Sequence, residues 1–175
     1  IDLTLTPVNL QEDFKLLRKK PGGAIAGALA LGALGALGAS KLMKNKKAFS
    51  LAVEQRVLWV RADGIWNERT AKDYVLELRT LVQGLIAQPW AIVLDIRHWQ
   101  LSPAAVFGIL KDNTHWCFEH NLMHVEIIYA DNAVVMWQFE KATEVDNRPA
   151  SLISQVAIDD KAARIALQTA GYLAG

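Results

Sequence analysis

Reactive side chains crowd the middle of this 175-residue chain: Asp95, His98, Ser102, the series His115, His120 and His124, and Cys117. Asp95 closes the apolar run Ala91–Leu94, so it stands where a buried strand gives way to a turn. A carboxylate there can move protons if a histidine or second carboxylate converges on it; alone, it accepts N–H bonds from the turn. Ser102 with His98 suggests acyl transfer, but the Gly-x-Ser-x-Gly elbow that exposes such a serine is absent. The three histidines are spaced five and four apart with a helix end between them, so they do not share a metal-binding face. Cys117 is the only cysteine, so no internal disulfide can form, and it reads as a core residue in a reducing compartment. Gly22-Gly23 precedes a low-complexity run instead of a strand-to-helix turn, so no phosphate loop is expected. The expectation is no catalytic residue, no metal and no cofactor.

The elements around these residues follow from periodicity. Phe49–Val53 and Val57–Arg61 read as a hairpin, broken by Asp63-Gly64. From Asn67, apolar residues at Ala71, Tyr74, Val75, Leu78, Leu81, Val82 and Leu85 mark an amphipathic helix to about Leu85. Ala91–Asp95 is a strand buried on both faces. Arg97–Gln100 reads as a polar turn, with Ser102 as N-cap and Pro103 as first residue of a helix to about His120. His124–Ala130 is the next strand, and Asp131 or Asn132 caps a helix running to about Val145. Asn147–Pro149 links to a last strand at Ser154–Ile158. Asp159-Asp160 open a final helix that stops at Gly171. The order β-β-α-β-α-β-α-β-α gives an α/β fold. Its sheet is mainly parallel, of four to five strands, with an N-terminal hairpin and about four helices.

Residues 1–42 differ from the rest. Pro21–Ser40 is twenty residues without a charge, long enough to span a bilayer. Seven Ala and six Gly leave few strongly apolar side chains, and Gly-Ala-Leu recurs at Gly27, Gly32 and Gly35. One reading makes residues 1–42 a fusion, linker or vector-derived extension, with Met43 as a translation start and 43–175 as the domain. Another makes residues 21–40 a membrane or helix-packing segment. The expected location is cytoplasmic, with membrane association only on the second reading. A formal net charge of +1 argues against nucleic acid as a partner.

This order, with Val93-Leu-Asp95 followed by Ser102-Pro-Ala-Ala-Val-Phe-Gly-Ile-Leu110, resembles the STAS domain family over about Ala48 to Tyr172. That family holds the anti-sigma-factor antagonists, the cytoplasmic domains of sulfate transporters and lipid-transport relatives. The resemblance implies a non-enzymatic regulatory domain. In the switchable members an Asp-Ser-Ser-Gly motif opens the helix, and its second serine takes phosphate. Here Ser102 takes the place of the Asp, Pro103 of the first Ser and Ala104 of the second, so the resemblance implies a variant without the phosphoswitch.

In a parallel sheet Trp66, Trp99 and Tyr129 lie at or beyond strand C-termini, sharing one edge with the helix N-terminus at Ser102 and Ala104. These five residues are the candidate binding site. Aromatics there suit a protein partner's anchor or, alternatively, a small apolar ligand or lipid held for a membrane transport system. The competing reading folds Trp66 and Trp99 back onto the core. Only Arg61, Arg69 and Arg97 are near enough to meet an acidic headgroup.

Overall fold

Alternation of apolar residues along five strands builds the sheet, and local caps set most of the helices around it. The computed structural model describes residues 47–175. The proposed boundary at Met43 and both readings of residues 1–42 therefore lie outside the described residues. The strands are β1 (Phe49–Glu54), β2 (Val57–Gly64), β3 (Trp90–Trp99), β4 (Leu122–Ile128) and β5 (Ile153–Ala157). They lie in the order β1-β2-β3-β4-β5, with β1 and β2 antiparallel and every later pair parallel. The helices are α1 (Glu68–Leu81), continued by a 3-10 turn at Val82–Gly84, α2 (Ala104–Glu119), α3 (Ala133–Thr143) and α4 (Asp160–Ala170).

Side chains of successive strand residues point to opposite faces, so β2, β3 and β4 each feed two cores. Leu58, Val60, Ile92, Ile96, Val125 and Ile127 face α1, α2 and α3, which pack side by side. Val57, Ala91, Val93, Ile128 and Ala157 face α4, whose Ala163 and Leu167 are fully buried. The caps are those that local chemistry dictates. Asn67, Asn132 and Asp159 each accept a backbone N–H of the first helical turn, and Gly171 ends α4 at φ +90°.

Three boundaries depart from the sequence pattern. β3 continues past Asp95 to Trp99, so Arg97-His98-Trp99 is strand, not turn. Pairing with β2 resumes after a register shift as Asp63 with His98 and Gly64 with Trp99. Such a shift inserts an extra residue and re-aims the side chains beyond it. β4 begins two residues early, at Leu122. A left-handed turn at Asn121 (φ +72°) ends α2, and the Asn121 carbonyl receives Trp90 N–H at 3.0 Å. The third departure is Ser102. Helix α2 begins at Ala104, Pro103 holds the cap position with no side-chain bond, and the serine hydroxyl is engaged elsewhere.

Because the described residues 47–175 already hold a five-stranded sheet, two cores and capped helices, a chain starting at Met43 is expected to unfold cooperatively. A thermal melt followed by circular dichroism checks this. A molten product would mean that residues 1–42 complete the core.

Candidate functional site

Ser102 organises the edge where β3 hands over to α2. Its hydroxyl accepts the Trp66 N–H at 3.1 Å and donates to the Gln100 carbonyl at 3.3 Å. Its backbone N–H donates to Gln138 Oε1 at 2.9 Å, and Gln138 Nε2 donates to the Ser102 carbonyl at 2.7 Å. Both groups are buried, Ser102 at 2% exposure and Gln138 at 0%. One serine thus ties the β2–α1 loop, the β3–α2 loop and α3 together. An amide side chain matches a peptide group on both donor and acceptor, so Gln138 stands in for a strand neighbour. Gln138 was not singled out in the sequence, where it reads as a polar helix residue.

The clamp fixes what the edge shows to solvent. Leu101, Ala104 and Ala105 are exposed at the start of α2, with Gly108 exposed one turn on; Tyr129 is half-buried beyond β4. Trp66 and Trp99 fold back onto the core, as the competing reading of the sequence has it. They are 2% and 4% exposed, with ring centroids 6.1 Å apart. Trp66 packs on Phe49 and Tyr74 and donates its indole N–H to the Ala48 carbonyl at 3.0 Å. Trp99 packs edge-on against Phe139 at 6.5 Å. Their large apolar area goes inward because the clamped loops close over them. Of the five sequence candidates, Ala104 and Tyr129 keep solvent contact, and Trp66, Trp99 and Ser102 are the support beneath.

Inside the α1–α2–α3 face lies a cavity of about 110 Å³, lined by Trp66, Tyr74, Trp99, Cys117 and Phe139 among others. Burial pushes the Cys117 thiol up to about 12 and the Tyr74 phenol well above its ordinary value, so both stay neutral. That suits core residues and leaves no reactive thiolate.

Asp95, His115, His120 and His124 are each engaged separately. Arg97 grips Asp95 through two side-chain bonds, at 3.0 and 2.8 Å, and reaches Asp160 at 3.3 Å. Burial pushes the Asp95 carboxyl up, but the Arg97 bonds and the charges of Arg97 and Arg61 outweigh it and hold the pKa below its ordinary value. A carboxylate so held is a poor proton donor near neutrality. Its stabilising share is present above the unfolded pKa of about 3.9 and is lost as pH falls through the lower folded value. Asp95→Asn is therefore expected to lower the melting temperature at pH 7 and to have less effect near pH 3, read by melts at both. His115 faces Glu119 and Asp146, His120 stacks on Trp116 at 4.0 Å, and His124 is buried beside Glu126. Among the described residues no three such groups converge to hold a metal.

Two solved structures share the overall fold. The anti-sigma factor antagonist SpoIIAA in its unphosphorylated form aligns with 10% identity over 69% of this chain and 98% of its own, at a TM-score of 0.50. An uncharacterised DUF3478-family protein with a SpoIIAA-like fold, from Shewanella loihica, aligns with 16% identity over 69% and 95%, at 0.51. The chain has a STAS-like fold. No protein-family profile and no curated protein matches it. In this STAS-like frame the clamped Ser102 loop is the strand-to-helix connection of the sheet's central strand. Among the described residues no helix is long and apolar enough to cross a membrane.

Proposed function

We propose that this domain is a non-enzymatic regulatory or scaffold module whose protein partner docks on the C-terminal edge of the sheet, over the first turn of α2. The observation that carries this reading is the Ser102–Gln138–Trp66 clamp. It spends buried hydrogen bonds on holding a short loop that presents Leu101, Ala104 and Ala105 to solvent. A preorganised patch lowers the ordering cost of association. The anti-sigma factor antagonist of similar fold supports the regulatory part of the reading. Ala104 has no hydroxyl, so docking here is not gated by phosphate at that position.

Ala104→Glu tests the edge. A carboxylate in the first turn of a helix is favourable by about 0.3–1 kcal/mol at an exposed site, so the fold should tolerate it. Within a contact, an unpaired charge should weaken binding by roughly 2–5 kcal/mol. Tagged wild-type and Ala104→Glu proteins, cross-linked in the host and purified, should differ in one co-purifying protein while sharing a melting temperature. Equal recovery of every co-purifying protein would remove this edge as the docking site.

A second reading has its own observation in favour. The cavity between the sheet and α1–α3 suits a module that carries a small apolar ligand, or part of a lipid, for a membrane transport system. Its volume is of the order of a cavity of about 150 Å³ that takes benzene.

A further inference from the structure

We infer that residues 14–47 hold this domain against an anionic lipid surface, with the C-terminal edge of the sheet turned toward the headgroups. The inference goes beyond protein docking and rests on a separate observation, an uneven split of charge. Residues 14–47 carry eight Lys or Arg and no acidic residue, whereas residues 48–175 carry eleven basic residues against fifteen acidic ones. The formal net charge of +1 therefore hides a segment of +8 beside a domain of −4. The basic residues form two clusters, Lys15–Lys20 and Lys41–Lys47, on either side of the uncharged run Pro21–Ser40. With five Ile or Leu among twenty residues, that run enters hydrocarbon poorly unaided. Basic neighbours change the balance, because each Lys or Arg close to an anionic leaflet strengthens attachment about fivefold. Spanning the bilayer would carry one cluster across it, whereas binding at one surface lets both clusters meet the same headgroups. Nucleic acid would satisfy the lysines but not the apolar run between them.

The described residues fix where this segment joins the domain. β1 runs antiparallel to β2, and Phe49 pairs with Ala62 near the end of β2, so the chain enters the fold at the C-terminal edge. Ala48 is pinned there, its carbonyl accepting the Asp63 N–H at 2.8 Å and the Trp66 indole N–H at 3.0 Å. Lys47, one residue earlier, is exposed. The seven residues from Lys41 to Lys47 reach at most about 25 Å. A surface gripped by this cluster therefore lies close to the edge that carries Leu101 and Ala104, and the opposite ends of the strands point away from it.

Flotation of the full chain tests the attachment, with vesicles of phosphatidylcholine alone or containing about one third phosphatidylglycerol. The anionic vesicles should bind at least about tenfold more tightly. Lys41→Ser, Lys44→Ser, Lys46→Ser and Lys47→Ser combined should lose at least about tenfold of that affinity at an unchanged melting temperature. Equal binding to both vesicles, or unchanged binding of the combined variant, would overturn the inference. So would binding to a DNA duplex without binding to anionic vesicles, which would assign the basic clusters to nucleic acid. The orientation has its own readout. Cys117 is buried, so a fluorophore attached to Gln100→Cys or to Ala87→Cys, both exposed positions, reports one place on the domain. The ten residues of β3 set the two places roughly 30 Å apart. Energy transfer to an acceptor on the lipid headgroups should be stronger from Gln100→Cys. Equal transfer, or stronger transfer from Ala87→Cys, would overturn the stated orientation.

Discussion

Gln138→Leu is expected to destabilise the domain by about 2–5 kcal/mol, because it strips both hydrogen bonds from a buried peptide segment. Each buried polar group left unpaired costs about 1–3 kcal/mol, and here the Ser102 N–H and carbonyl both lose their partner. The leucine cannot offset this by burying more apolar area, since Gln138 is already fully enclosed. A urea titration should show the midpoint falling with an unchanged slope, which places the loss in the native state. Gln138→Glu separates shape from hydrogen bonding. It keeps the volume and an acceptor for the Ser102 N–H but faces the Ser102 carbonyl with an oxygen, so it should lose about as much as leucine. If Gln138→Leu melts like the wild type, the loop is not held by this clamp, and the preorganisation behind the proposed docking edge disappears with it.

What the sequence reveals about this molecule is the part governed by neighbours along the chain. Asn67, Asn132, Asp159 and Gly171 cap helices through bonds that span two to four residues, so residue type at a boundary suffices to read them. The alternation of strands and helices likewise yields the α/β class and the antiparallel start. Ser102 is the opposite case. It has the right residue type for a cap, but its hydroxyl meets Trp66 and its backbone meets Gln138, each 36 residues away. Partners at that separation leave no periodic trace. The same holds for Trp66 and Trp99. Chain position put them at the sheet edge, and only the packing of Phe49, Tyr74 and Phe139 around them shows that the rings turn inward. Of the proposed site, Ala104 is legible as an exposed edge position and Tyr129 as a half-buried one, whereas Gln138, which holds the Ser102 loop in place, is not.

The second large effect concerns His124 and Glu126, which share the α4 face of β4. Their side chains meet at 2.5 Å, both almost fully buried, and Gln155 Nε2 donates to the same glutamate oxygen at 2.6 Å. The ring of Tyr172 packs on His124 at 5.6 Å and helps close the site from solvent. Glu126→Leu should cost about 3–5 kcal/mol, the loss typical of removing one member of a buried pair, because His124 and Gln155 are then left facing an alkyl chain. The double substitution His124→Leu with Glu126→Leu should recover most of that loss. Replacing a whole buried pair by apolar residues is often neutral or stabilising by about 1–4 kcal/mol, since two desolvation costs vanish together. The unfolding free energies of the two single variants and the double variant form a cycle whose coupling measures the pair directly. A double variant as unstable as the sum of the singles would mean that each residue acts through a different neighbour. A recovered double variant marks the pair as a local polar match inside the α4 core. It would add no titratable chemistry to a domain whose exposed edge and cavity lie on the opposite side of the sheet.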